Sequence, residues 1–178
     1  MQMRVKYAPF LILTVCIASV ALAQESKLRL HSTAFTDGSV IPTDYTCTGV
    51  DKSPPLSWTG TPAGTRSFAL IVDDPDAPRT TFVHWVIYNM ASSITQLPED
   101  TPRSARTALG AKQGVNGLDR IGYKGPCPPP GAPHHYHFRL FALDSPLKLE
   151  PGASAAEVRQ AVEGHVLAST ELVGIFGR

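Results

Sequence analysis

Between Phe68 and Val72 the chain is apolar without a break, Phe68-Ala69-Leu70-Ile71-Val72. A run of this length predicts a strand buried on both faces, ending where Asp73 and Asp74 begin. A second strand begins near His134 and continues through Asp144; Leu140 and Ala142 share one of its faces, Phe141 and Leu143 the other. Apolar residues on both faces predict a sheet covered on both sides. From Lys27 to Phe35 polar and apolar residues alternate through Leu28 and Leu30, as in an opening strand with one buried face. Asp37-Gly38 is a two-residue turn signal, so Ser39 to Ile41 is expected to return as the hairpin partner of that strand. Leu56-Ser57-Trp58 predicts a strand that puts Trp58 in the core, and Leu172 to Phe176 a closing strand. Residues 97–102 are expected to be a turn or a scrap of helix, and the Gly-rich, polar stretch 111–122 a surface loop. One helix is predicted: Ser154-Ala155-Ala156-Glu157 fits a capping box, and Val158, Ala161, Val162, His165 and Val166 recur at helical spacing as a buried stripe, with His165 at its edge. The pattern predicts a mainly β (α+β) domain of two packed, mostly antiparallel sheets with one or two peripheral helices.

The first residues follow a different pattern. Arg4 and Lys6 precede an apolar stretch from Ala8 to Val20, too short for a spanning helix of about 20 residues, and Ala21-Leu22-Ala23 supplies small residues. This predicts a secretory signal peptide over 1–23, a single domain over 24–178, and a periplasmic or secreted protein. Without Arg4 and Lys6, fourteen basic residues face fifteen acidic ones, a net charge of −1 with His neutral. Such a balance offers no footprint for nucleic acid or for an anionic lipid surface. A hydrophobic share of 43% supports a proper core.

Candidate chemistry lies in two clusters. Asp74-Pro75-Asp76-Ala77-Pro78 makes a stiff turn ahead of Phe82-Val83-His84-Trp85, because each proline fixes φ and removes a donor. Tyr123-Lys124-Gly125-Pro126-Cys127-Pro128-Pro129 makes a stiff loop ahead of His134-His135-Tyr136-His137. Strand alternation puts His134 and Tyr136 on one face, His135 and His137 on the other.

These motifs, with Ile41-Pro42, Tyr45-Thr46-Cys47 and Ser53-Pro54-Pro55-Leu56-Ser57-Trp58 upstream, resemble the phosphatidylethanolamine-binding protein family, in particular its bacterial Raf-kinase-inhibitor-like branch. Three positions depart from the family's usual pattern. His135 stands where Arg is usual, Met90-Ala91 follows Asn89 where Pro is usual, and Arg79-Thr80 replaces a more Gly-rich link. The resemblance implies the family's two-sheet fold and a small anion-binding cavity for phosphate-like or phospholipid head groups, formed by Asp74, Asp76, His84, Gly125, Pro126, His134 and Tyr136. In that arrangement His84, His134 and Tyr136 donate to phosphate oxygens, while Asp74 and Asp76 orient the imidazoles and raise their pKa.

Removing the signal peptide takes Cys16 with it and leaves Cys47 and Cys127, which either form one disulfide or remain as two buried thiols. No cofactor and no metal site is expected: strand alternation separates His134 from His135 and His137, and no HExxH or CxxC spacing occurs. A non-enzymatic binding protein is the leading reading. A protease- or kinase-inhibitor module that binds a protein partner is the alternative, and a homodimer is left open. A hydrolase with His84 as base and Asp74 orienting it is disfavoured because no nucleophile elbow is present.

Overall fold

The apolar run 68–72 lies in the middle of a longer buried strand. The computed structural model describes residues 2–3 and 27–178; apart from residues 2 and 3, the expected signal peptide, with its boundary after Ala23, lies outside the described residues. In it β4 (Ser67–Asp74) is buried at every position, flanked on both sides by antiparallel neighbours, β5 (Phe82–Ala91) and β8 (His134–Leu143). The strand does not stop at the acids. Pairing continues through Asp73 and Asp74, opposite Val83 and Phe82, because the Asp-Pro turn follows Asp74 and does not replace it.

The larger sheet is completed by β9 (Val166–Phe176), β2 (Ser39–Val40) and β7 (Lys112–Gln113), in the order β2-β9-β8-β4-β5-β7. A smaller sheet has the order β1-β3-β6, from β1 (Arg29–His31), β3 (Leu56–Thr59) and β6 (Gln96–Leu97). The two sheets pack face to face. Leu30, Leu56 and Trp58 of the small sheet share one apolar core with Phe68, Leu70, Trp85, Phe138 and Leu140 of the large one. On the other face of the large sheet, Ala69, Ile71, Val86 and Tyr88 pack with α1 (Ala155–Val162) through Val158 and Val162. Strand parity therefore decides which core each residue of β4 enters.

Four expectations are corrected. The turn at Asp37-Gly38 forms, with Gly38 at φ 71°, but β2 is no hairpin partner of β1. It pairs in parallel with β9, through Ser39↔Gly174 and Val40↔Ile175, and β1 pairs with β3. A turn signal sets where the chain reverses; which edge captures the returning segment is a long-range choice. The stretch 111–122 is a surface loop only over residues 117–120, since Ala111, Gln113, Asn116 and Gly122 are buried, Ile121 bridges to Val115 and β7 extends the sheet. The capping box at Ser154 and Glu157 is present, but α1 ends at Val162 and Gly164 follows at φ 78°. His165 and Val166 are therefore exposed, with the His165 Nδ1 2.8 Å from Asp144. Finally, the closing strand begins at Val166, six residues earlier than the apolar run suggested, because β9 follows β8 along its length.

Candidate functional site

β4, β5 and β8 bring Asp74, His84 and His134 together at one end of the large sheet. There a cavity of about 310 Å³ opens against the loop that carries Lys124, Gly125 and Cys127. Of the seven expected site residues, Asp74, His84, Gly125 and His134 line it; Asp76, Pro126 and Tyr136 do not.

His84 is only 3% exposed. Its Nδ1 lies 2.6 Å from the Lys124 carbonyl oxygen, and the Lys124 N–H donates to the His84 carbonyl at 2.8 Å. In that tautomer Nδ1–H donates and Nε2 carries the free lone pair. Burial lowers the His84 pKa and outweighs the opposing pull of Asp74. The expectation that carboxylates raise both imidazoles is thus corrected for His84. The ring packs between Phe82, 4.8 Å between centroids, and Tyr136, 5.1 Å and edge-on.

His134, 8% exposed, has its Nδ1 2.7 Å from Asp74 Oδ2. The other oxygen of Asp74 accepts the Asp76 N–H at 2.9 Å. Asp74 therefore orients His134, and does not touch His84 as the hydrolase reading required. Asp76 faces away from the cavity. Its Oδ2 accepts from the His135 backbone N–H at 2.9 Å and lies 2.7 Å from the His135 ring. That ring contact, joined by the backbone bond, holds the Asp76 carboxyl below its usual range. The position where Arg was the usual residue thus serves the Asp76 turn. Tyr136 is buried behind His84, and its hydroxyl has no hydrogen-bond partner among the described residues. Burial raises its pKa further, so it stays neutral.

Pro126 and Gly125 act on the loop itself. Cys47 and Cys127 are bonded, with Cα atoms 5.3 Å apart, and the Cys47 N–H donates to the Pro126 carbonyl at 3.0 Å. Gly125 N–H donates to Asp51 Oδ1 at 2.6 Å, and Asp51 Oδ2 lies 2.9 Å from Lys124 Nζ. A Cβ on Gly125 would meet the Tyr45 carbonyl oxygen at 2.5 Å and the Thr46 Cα at 2.8 Å. Both obstacles are backbone, so the loop would have to move. Gly125→Ala is expected to cost about 1–3 kcal/mol of stability, as overpacking does, read by chemical denaturation; an unchanged midpoint would contradict the close approach.

Sequence reasoning missed Lys124, Asp51, Phe82 and Leu118. Phe82 was accessible, since it lies two residues before His84 on the same strand face. Asp51 was not, because 74 positions separate it from the amide it accepts. Chemically, the cavity offers two buried imidazoles and one orienting carboxylate. Among its lining residues no Ser or Thr occurs, and the Cys is held in a disulfide.

A phosphatidylethanolamine-binding protein family model matches residues 31–177. The chain is 50% identical over 151 residues to a UPF0098 protein of Methanothermobacter thermautotrophicus, across 85% of this chain and 99% of that one. To a UPF0098 protein of Aquifex aeolicus it is 45% identical over 153 residues, 85% of this chain and 89% of that one. The crystal structure of Escherichia coli YbcL, described as a new member of the mammalian PEBP family, superposes with a TM-score of 0.80 at 33% identity. That superposition covers 85% of this chain and 99% of YbcL.

Proposed function

The chain belongs to the phosphatidylethanolamine-binding protein family, and from that premise we propose that it is an exported, non-catalytic protein whose cavity binds a small tetrahedral oxyanion of the phosphoryl class. One observation carries the reading: two buried imidazoles face one cavity, each with its Nδ1 committed to an oxygen, so Nε2 is the nitrogen left for a ligand. A neutral Nε2 accepts and cannot donate. A protonated one donates with charge, which suits an anion. Asp74, with both oxygens engaged, acts on His134 and leaves the ligand's place free.

The pH dependence follows from this. Burial depresses the His84 pKa in the free protein, and a bound anion raises it. Affinity is therefore steady below the free-protein pKa and falls as pH rises toward the bound-state pKa, by up to about tenfold per pH unit for each proton taken up. Sulfate, whose charge is constant across this range, is the clean probe. Calorimetric titration between about pH 5 and pH 8 is expected to show that decline, and His84→Ala and His134→Ala are each expected to abolish binding. Equal sulfate affinity at both ends of the range would sink the reading.

Export is supported by the apolar stretch from Ala8 to Val20 and by the Cys47–Cys127 bond, a linkage typical of oxidising compartments. Amino-terminal sequencing of the cell-purified protein is expected to begin at Gln24; a chain beginning at Met1 would refute cleavage.

A further inference from the structure

The polar side chains lining the cavity are Asp74, His84, Lys124 and His134. The remaining walls are apolar: Phe82, Ala77, Pro78, Leu118, Pro128 and Pro129. One exposed leucine means little by itself, and Leu118 is 48% exposed. This one, however, is pinned in place. Asn116 Oδ1 accepts the Leu118 N–H at 2.9 Å, and the Gly117 N–H donates to the Val83 carbonyl at 2.8 Å. Gly117 lies so close to Phe82 that a Cβ there would come within 2.7 Å of the ring. Leu118 and Phe82 thus form a ready-made apolar wall beside the imidazoles, with no rearrangement needed to present it.

Charge among the polar side chains points the same way. Both oxygens of Asp74 are engaged, and the Lys124 ammonium is paired with Asp51. No uncommitted carboxylate remains among the lining residues to receive a cation, and imidazoles protonated to hold an anion would repel one. The volume of about 310 Å³ lies at the small end of ligand pockets, about 300–1,000 Å³.

We propose that the ligand is a phosphate monoester whose ester substituent is apolar, aryl or short alkyl, with the phosphoryl group against His84 and His134 and the substituent against Leu118 and Phe82. The proposal rests on the anion reading above and goes beyond it by naming the substituent. An ammonium-bearing head group is the poorer fit.

The test is a titration of the purified protein at mildly acid pH with methyl phosphate, phenyl phosphate, phosphoethanolamine and phenol, beside Leu118→Asn. Phenyl phosphate is expected to bind about tenfold or more tightly than methyl phosphate, from burial of the ring. Phosphoethanolamine is expected to bind no better than methyl phosphate. Leu118→Asn is expected to remove most of the phenyl advantage, weakening phenyl phosphate more than methyl phosphate, because the proposal sets this side chain against the substituent and the imidazoles against the phosphoryl group. Methyl phosphate and phenyl phosphate binding equally would overturn the substituent site and leave the anion reading standing. Binding of neither would overturn both. Phenol binding as tightly as phenyl phosphate would reduce the site to apolar adsorption and overturn the proposal.

Discussion

Replacing Arg139 and Arg159 together by methionine is expected to lower the unfolding free energy by about 3–5 kcal/mol, the cost of stranding a buried charge. The charge is Asp73, 1% exposed near the end of β4. Arg139 Nη1 reaches both of its oxygens, at 2.7 and 2.9 Å, and Arg159 of α1 also donates to Oδ2. Each arginine is about a third exposed, 34% and 39% of its side chain, and can return to water when its partner is removed. The carboxylate has no such exit. Each single arginine variant leaves Asp73 one partner and is expected to lose less. Adding Asp73→Leu to the double variant is expected to recover much of the loss, because a buried ion cluster replaced by apolar groups is often neutral or better. Guanidinium denaturation of the four variants measures this, and a double variant within about 0.5 kcal/mol of the parent would show that Asp73 is not held by these two arginines. The consequence reaches the cavity. Asp73 and Asp74 are consecutive, so the clamp on one face of β4 holds the strand end from which Asp74 orients His134 on the other.

Changing Cys47 and Cys127 together to serine is expected to cost about 2–4 kcal/mol, and the chain-entropy argument for a loop this long reaches about 4.5 kcal/mol. The bond joins positions separated by 80 residues, and its loss frees that much of the unfolded chain. The folded state keeps other ties at the same place: Cys47 N–H to the Pro126 carbonyl, and Asp51 to Gly125 and Lys124. The variant is therefore expected to fold at ordinary temperature with a loosened cavity wall, since Cys127 lines the site. Paired denaturation curves of the parent, with and without reductant, should reproduce the same difference. An oxidised parent no more stable than the serine variant would refute the contribution.

Legibility differed by the range of the interaction. The buried run 68–72, the parity of His134 to His137 and the capping box at Ser154 and Glu157 each depend on neighbours within a few positions, and each could be read along the chain. Where a second segment had to be chosen, reading along the chain failed. Ser39 and Val40 turn back after Gly38 as expected, yet pair with Gly174 and Ile175. His165 and Val166 keep helical spacing, yet Gly164 releases them into β9. Residues 111–116 look like loop in composition, yet Trp85 Nε1 donates to Gln113 Oε1 at 2.7 Å and helps draw the segment into the sheet.

The same division runs through the site. Residue identity by itself determined the class of fold, the two polar clusters, the stiffness of the Asp-Pro and Gly-Pro segments and the cysteine pair available for bonding. Tertiary structure decided how the charges are shared: Asp74 to His134, Asp76 to His135, the Lys124 carbonyl to His84, and Asp51 to the loop opposite. It also set the direction of the His84 pKa, because the cost of desolvating a charge depends on what the whole fold packs around it. A hydrogen-bond partner tens of residues away leaves no periodic trace in the chain, and burial is a property of three dimensions.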